Sequence, residues 1–267
     1  MTLQLNEPVQ IYQEFYGKDI EQMPLLIAQG GIPLSVADLM ERRLKAVGNK
    51  ELKEGWCDNY FDTGDGIAYH PDGRFKIVLG KNPVWAITQY HRRVDGAMVL
   101  EPGVYETLQG PEFKRDSCGE VQRALSRREV KKHPVWKALA RNDRALLDRY
   151  TDFVFDDTKE RFDYDENMGV YLMDQKDTPN IRLVSLYRFY HGSEAGAWAD
   201  LDIDRGRLVS VAIRVAPEAQ RVVQKAPVQL SVPSLDARIQ SALSEGRAFD
   251  FNGTIYAPIG TQSRIRL

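Results

Sequence analysis

Cysteine is scarce in this sequence, and its two occurrences lack the spacing of a metal or redox motif. Cys57 and Cys118 are the two cysteines among 267 residues. A chain of this length does not need disulfides to fold, and neither cysteine has a second one at CxxC spacing. We therefore expect two reduced, inert and partly buried thiols in a cytoplasmic protein.

Long apolar runs and a secretory signal are also missing. The segment from Met1 to Pro8 has neither the positive start nor the apolar stretch of a signal peptide. The most apolar stretches, such as Leu208 to Ile213, are much shorter than the ~20 residues that cross a bilayer. We therefore expect no export by this route and no membrane partner.

Neither sign of charge dominates. The chain has 36 Lys and Arg against 38 Asp and Glu, which gives a formal net charge of −2. No global field draws the whole molecule to nucleic acid or to an anionic membrane, so any such attraction must be local. Hydrophobic residues make up 43% of the chain and charged residues 28%, as in typical globular proteins, so we expect it to fold throughout.

Several sequence signatures of enzymes are absent as well. The chain contains no Walker A loop, no G-x-G-x-x-G, no H-E-x-x-H and no G-x-S-x-G. It also has no internal repeat and no low-complexity segment. The nucleotide loops, zinc-protease helix and nucleophile elbow that these motifs encode are therefore not indicated, and no cofactor is evident.

The first half of the chain combines a clear helix with short strands. Ser35-Val36-Ala37-Asp38 resembles a capping box, and apolar residues at helical spacing follow it as far as Val47. After this helix, apolar residues recur at every second position, which is the spacing of a β-strand. Strands separated by turns are predicted at residues 67–70, 75–79 and 84–88.

A helical block then interrupts the strand pattern, roughly from residue 119 to 155. Pro134 should begin a helix there, because proline is tolerated in the first helical turn, and Asn142 or Asp143 should cap another. Strands are predicted again at residues 169–173, 181–190, 198–203, 208–215 and 228–232, followed by a helix at 234–244.

Turn residues predict two hairpins. A loop of residues 205–207 would place Ile203 opposite Val209 and leave Asp200 and Asp202 on the other face of the sheet. Asn252-Gly253 suits the type I′ turn of a hairpin between residues 249–251 and 254–256.

The order of these elements predicts an α+β fold. Strands occur in two regions with helices between and around them, rather than alternating with single helices, so antiparallel pairing should dominate. We predict a single α+β domain over residues 1–267, with largely antiparallel sheets. The helical block, about 108–166, is inserted between the strand-rich regions, either within the shared fold or as a helical sub-domain.

Three of the four histidines follow a tyrosine near the predicted end of a strand, where catalytic side chains often stand. Histidine titrates near neutral pH and arginine binds anions, so these strand ends could form an acid/base site. Such pairs also arise without a shared site, since tyrosine favours strands and polar residues gather at turns. The candidate catalytic residues are His70, His91, His191, Arg92, Arg188 and Tyr187.

Asp200, Asp202 and Asp204 alternate along a predicted strand and would present their carboxylates on one side, as a divalent cation requires. The segment does not match an EF-hand, because Arg205 stands where that loop needs glycine and Val211 where it needs glutamate. The two hypotheses are therefore a divalent metal bound by these carboxylates and a solvated strand face.

Charge is segregated within the helical block. Residues 114–149 contain eleven Lys or Arg against five Asp or Glu, whereas residues 150–166 contain two against seven. A basic helical surface gains affinity for phosphates or an acidic partner by releasing counterions, although such charges also serve simply to face water. The candidate partner-binding residues are Arg127, Arg128, Lys131 and Lys132.

The missing enzyme motifs and the segregated charge favour a non-catalytic binding or assembly protein. Its basic helical surface, about 114–149, would contact an acidic protein or nucleic acid. The alternative is a hydrolase or other acid/base enzyme at the Tyr-His strand ends, with or without a divalent metal. The two hypotheses differ in whether His70, His91 and His191 meet in one site.

The sequence leaves the oligomeric state open. Because Arg127, Arg128, Lys131 and Lys132 are expected to face solvent, we expect that reversing their charge leaves the fold intact.

Overall fold

The computed structural model describes residues 3–6, 11–118, 123–174, 176–197 and 200–211, and the backbone of residues 249–251 and 254–256. The chain divides into two compact units, Met1–Ile213 and Arg214–Leu267. A single domain over residues 1–267, with 108–166 as a sub-domain, stays a prediction. The strand predicted at 228–232 and the helix predicted at 234–244 lie outside the described residues.

The first unit is built on a mixed sheet that is largely antiparallel. Within the described residues it contains ten strands. They are β1 (Tyr12–Gly17), β2 (Phe61–Tyr69), β3 (Arg74–Val78), β4 (Arg93–Val94), β5 (Ala97–Val99), β6 (Glu112–Lys114), β7 (Val170–Tyr171), β8 (Asn180–Leu186), β9 (Ala195–Gly196) and β10 (Gly206–Val211).

Helices surround this sheet. They are α1 (Asp19–Ala28), α2 (Val36–Lys45), α3 (Lys50–Cys57), α4 (Val104–Thr107), α5 (Arg127–Val130), α6 (Pro134–Leu139) and α7 (Arg144–Phe162). In the parts of the chain that the structure describes, no helix is both long and apolar enough to cross a lipid bilayer.

The predicted α+β fold with largely antiparallel pairing is confirmed, and so are several helix boundaries. Ser35 and Asp38 form the capping box that begins α2, Pro134 begins α6 and Asp143 caps α7. The helical block predicted at about 108–166 is less helical than expected, because β6 lies within it and pairs with β3.

Two predicted strands are wrong. Residues 83–86 form a 3₁₀ turn, because the Asn82 side chain accepts the N–H of Val84 and caps it. The described part of the segment 198–203 forms turns rather than a strand. There the Asp200 side chain accepts the Asp202 N–H, a local bond that competes with sheet pairing.

The two predicted hairpins had opposite outcomes. Residues 205–207 do not join a hairpin, since β10 pairs with β1 in antiparallel and with β2 in parallel register. In the second unit, β11 (Phe249–Phe251) pairs antiparallel with β12 (Thr254–Tyr256), which confirms the hairpin predicted there.

Strands β2 and β8 form the centre of the sheet in the first unit. They pair with each other from end to end. On its other side, β2 pairs with β10 and with β3, and β8 pairs with β9 and with β5. Every residue of both strands is buried. They are therefore covered on both faces, as central strands between two layers of packing must be.

The two faces of the sheet carry separate hydrophobic cores. Because side chains alternate along a strand, Ile67 and Val184 point into the core shared with α2, α3, α6 and α7, while Ala68 and Leu183 point into the core shared with α1. Cys57 and Cys118 are free thiols buried in the first core, as predicted, and burial raises the pKa of Cys57 to about 12.

A bulge in β2 fixes the start of α2. The register with β8 shifts between Asp62 and Gly66. Asp65, inside the bulge, is fully buried and accepts hydrogen bonds from the backbone N–H groups of Val36 and Gly80, each at 2.9 Å. Since Val36 is the first residue of α2, the bulge ties that helix to the centre of the sheet.

Arg43 of α2 is a fully buried arginine that joins this helix to several other parts of the first unit. Among the described residues it has no carboxylate partner, and its guanidinium instead donates to neutral oxygens. These are the carbonyl of Trp56 (2.8 Å), the hydroxyls of Tyr150 (2.8 Å) and Ser193 (3.0 Å), and the carbonyls of Asn59 (3.0 Å) and Leu186 (3.5 Å).

Removing this guanidinium should destabilise the fold strongly. Arg43→Met is expected to lower the free energy of unfolding by about 3 to 5 kcal/mol, because buried oxygens lose their donors. Lys45→Met, at a half-exposed position on the same helix, should change it by less than about 0.5 kcal/mol. Urea denaturation measures both variants, and a small, equal effect for the two would show that the Arg43 network contributes little.

Candidate functional site

A cleft of about 780 Å³ is lined by basic side chains from the three helices of the inserted block. It contains all four residues that the charge pattern singled out, together with two further basic residues and two carboxylates. The charged residues that line it are Arg127, Arg128, Lys131, Lys132, Lys137, Arg144, Asp143 and Asp148.

Local sequence explains how these side chains come to one place. Ser126 and Glu129 form a capping box that begins the single turn of α5. The turn between α6 and α7 is tight, with Arg141 and Asn142 both at positive φ, 55° and 60°. This turn brings the beginning of α7, capped by Asp143, beside α5 and completes the cleft.

The basic residues of the cleft fall into two groups. Arg127 lies 3.3 Å from Asp152 and 2.5 Å from Asp156, Lys131 lies 2.7 Å from Asp152, and Arg144 lies 3.6 Å from Asp148. In the part of the chain that the structure describes, no ion pair involves Arg128, Lys132 or Lys137, and these three side chains are exposed. We call Arg128, Lys132 and Lys137 the outward cations.

This division corrects one expectation from the sequence. Arg127 and Lys131 are not simply solvent-facing, because they pair with carboxylates of α7, and the Arg127 guanidinium also lies over the Phe155 ring at 5.4 Å from its centroid. Reversing their charge would place like charges together between α5 and α7. Substitutions that leave the fold intact must therefore be confined to the outward cations.

The structure does not bring the three predicted catalytic histidines together. His70 follows Tyr69, which pairs with Asn180 at one end of β8, whereas His191 lies beyond Leu186 at the other end. These strand ends are about 20 Å apart, at ~3.3 Å per residue.

His91 stands at the same end of the sheet as His70 but on a different strand. Its neighbour Arg92 bonds to Val99 of β5, which pairs with Asn180 of β8, so three strand spacings, about 14 Å, separate Arg92 from Tyr69. The side chain of Arg92 is exposed. The convergence that an enzyme built on these histidines requires is not found.

Each histidine is instead engaged locally. The imidazole of His70 lies 2.8 Å from Asp72 and 3.6 Å from Glu106, and that of His91 lies 2.9 Å from the hydroxyl of Thr88. Asp72 and Thr88 lie within three residues of the histidine that each contacts, and Glu106 belongs to α4.

Arg188, Tyr187 and His191 do lie together, at the end of β8. The Arg188 guanidinium is 3.1 Å from His191 Nε2, and the Tyr187 and His191 ring centroids are 6.3 Å apart. Partial burial lowers the pKa of His191, and the positive charge of Arg188 lowers it further. The surroundings of His191 at this end of β8 therefore favour the neutral form of its imidazole.

The predicted metal ligands do not converge either. Asp202 pairs with Arg93 at 2.8 Å, Asp204 lies 3.8 Å from Lys18, and Asp200 accepts the Asp202 N–H. Across the described residues, no three His, Cys, Asp or Glu side chains are arranged to hold a metal ion. The prediction assumed a strand, whereas the chain here forms turns that point the carboxylates in different directions.

A second, acidic pocket has members that the sequence did not group together. It measures about 280 Å³ and includes Asp19 and Asp62, which are 1% and 5% exposed. Asp62 accepts the Ser185 hydroxyl and the backbone N–H of Arg207, but Oδ1 of Asp19 has no hydrogen-bond partner. The lining residues are Asp19, Tyr60, Asp62, Ser185, Tyr187, Asp200, Ile203, Arg205 and Gly206.

Burial raises the pKa of both deep carboxyl groups. The pKa of Asp19 is raised well above its usual value of 3.8, first by burial and then by repulsion from Asp62, and the pKa of Asp62 is also raised by burial. An acid with a raised pKa in the folded state makes the fold less stable as pH rises from its unfolded to its folded pKa. The pair therefore costs stability at neutral pH.

Asp19→Asn should show this cost directly. The variant is expected to be more stable than the wild type at neutral pH, and the difference should shrink as pH falls below the usual carboxyl pKa of 3.8, where Asp19 becomes protonated in the unfolded state as well. Urea denaturation at both pH values measures the difference. Equal stability at neutral pH, or a variant that gains stability only in acid, would contradict the assignment of a raised pKa to Asp19.

Comparison with known proteins identifies the fold but no family. No protein-family model and no curated protein matches the chain. One solved structure is similar, and it is described as "Accommodation of massive sequence variation in Nanoarchaeota by the C-type lectin fold". It has a TM-score of 0.58 and 18% sequence identity, and the similarity covers 77% of this chain and 100% of that one. The chain thus has a fold similar to the C-type lectin fold.

Proposed function

We propose that this chain is a binding protein whose basic cleft holds an anionic group of an acidic protein or a nucleic acid. The observation that carries the proposal is the set of three outward cations, Arg128, Lys132 and Lys137, which are exposed around one cleft. Cationic side chains grouped around a concave surface concentrate a positive field there and attract anions.

The rest of the cleft supports this role. Asp152 and Asp156 neutralise Arg127 and Lys131, and neither carboxylate pairs with an outward cation. The two lining carboxylates are also engaged, since Asp143 caps α7 and Asp148 lies 3.6 Å from Arg144. The positive end of the α7 dipole adds to the field at the same place.

The lining favours recognition by charge rather than by stacking. Among the described residues that line the cleft, Leu147 is the apolar side chain and none is aromatic. Proteins that bind single-stranded nucleic acid stack bases on aromatic side chains, which this cleft does not provide. A phosphate backbone or a run of acidic side chains is therefore the better ligand.

Binding is favoured over acid/base catalysis for a geometrical reason. An enzyme built on the Tyr-His strand ends needs His70 and His191 in one site, and they lie at opposite ends of β8. The similarity to the C-type lectin fold does not choose between the two functions, because one fold supports many activities. In the Nanoarchaeota protein that fold accommodates massive sequence variation.

Charge reversal of the outward cations tests the proposal. The triple variant Arg128→Glu, Lys132→Glu, Lys137→Glu is expected to bind an anionic polymer at least tenfold more weakly at low salt, because each lost cation removes counterion release. Binding is measured by fluorescence anisotropy with two probes, a short DNA duplex and poly-glutamate. The probe that binds more tightly identifies the partner class.

A matched control separates this effect from a change in net charge. Lys50→Glu, Lys81→Glu and Arg92→Glu together reverse three exposed cations outside the cleft and should leave binding close to that of the wild type. Thermal denaturation checks that both triple variants fold. The proposal fails if the wild type binds neither polymer at low salt, or if the two variants lose affinity equally.

A further inference from the structure

We propose that the acidic pocket around Asp19 binds a small organic cation, a primary ammonium group carried by a free amine or by a lysine side chain. Asp19 and Asp62 stand at the inner end of the pocket, and Tyr60 and Tyr187 line it with ring centroids 6.3 Å apart. Carboxylates beside aromatic rings form an environment that suits an alkylammonium ion.

The unpartnered oxygen of Asp19 points to a ligand. Buried carboxylate oxygens almost always have hydrogen-bond partners, and Oδ1 of Asp19 has none. Gly206, which also lines the pocket, allows this oxygen to lie close to the backbone there, since a Cβ at that position would come within 2.4 Å of it. An ammonium group supplies three N–H donors and a compensating charge.

Neighbouring cations do not provide that compensation. Lys18, next to Asp19 in the sequence, lies instead within 4.0 Å of Glu21 and Asp204. Arg205 belongs to the exposed rim, where its carbonyl accepts the hydroxyl of Tyr60. Arg207 offsets part of the charge of Asp62. Asp19 is thus left as the uncompensated carboxylate.

The geometry favours an ammonium ion over a metal ion. No described His, Cys, Asp or Glu side chains form a group of three that could hold a metal. Both oxygens of Asp62 already accept hydrogen bonds, and Oδ1 of Asp200 accepts one as well. A monovalent cation that needs one strong carboxylate partner and aromatic neighbours fits this arrangement better.

Binding of the ammonium group should release a proton. Burial and Asp62 raise the pKa of Asp19, because both disfavour its ionised form until a cation enters. The cation then favours the ionised form. The charged or titratable groups that line the pocket around Asp19 are Asp62, Asp200, Tyr60, Tyr187 and Arg205. Affinity is therefore expected to rise from mildly acidic to neutral pH.

Calorimetric titration tests the proposal with propylammonium chloride and with Nα-acetyl-lysine amide, and with propanol as the uncharged control. Saturable binding of either amine, without binding of propanol, is expected for the wild type. Asp19→Asn should weaken it at least tenfold and Asp200→Asn less. Glu101→Gln, an exposed carboxylate outside the pocket, should leave it unchanged.

The two amines distinguish the source of the ammonium group. Binding of propylammonium alone indicates a free amine, and tighter binding of the lysine derivative indicates a protein side chain. The proposal is overturned if neither amine saturates the wild type, if propanol binds as well, if Asp19→Asn and Asp200→Asn both bind like the wild type, or if Ca²⁺ binds and displaces the amine.

Discussion

The buried guanidinium of Arg43 is the interaction on which the first unit depends. Its donors have fixed directions and must all be satisfied, because an unpaired buried donor costs free energy. They reach the end of α3, the loop that precedes β2, the end of β8, the α7 residue Tyr150 and Ser193. Asp65 makes the corresponding connection at the other end of α2. Helix α2 is thus fixed at both ends, and α7 is fixed to it.

The two candidate sites differ in where the surrounding elements place their charged side chains. Around the basic cleft, α7 supplies carboxylates for the cations nearest the core and leaves the outward cations to solvent. Around the acidic pocket, β2 and α1 hold two carboxyl groups where burial raises their pKa. The first arrangement costs little stability, whereas the second lowers it at neutral pH. Buried carboxyl groups whose pKa values are raised in this way are typical of functional sites.

Sequence reasoning succeeded where the signal is local. The capping box of α2 and the start of α6 at Pro134 each depend on residues within one helical turn. Arg127, Arg128, Lys131 and Lys132 lie within two turns of one another, so chain spacing places them together. The acidic pocket joins four distant segments, and nothing in the pattern around Asp19 indicates that it meets Asp62. The strand predicted near Asp200 failed because side-chain bonds to the backbone outweighed an alternating apolar pattern.

The central claim is that three exposed cations of one cleft bind an anionic partner. The salt dependence of wild-type affinity for a DNA duplex tests this most directly, because each cation that neutralises a phosphate adds about −0.9 to the slope of log affinity against log salt concentration. The account predicts a slope of about −2.7 for three such contacts. A slope near zero for the duplex and for poly-glutamate alike would show that these side chains hold no anionic partner and would contradict the account.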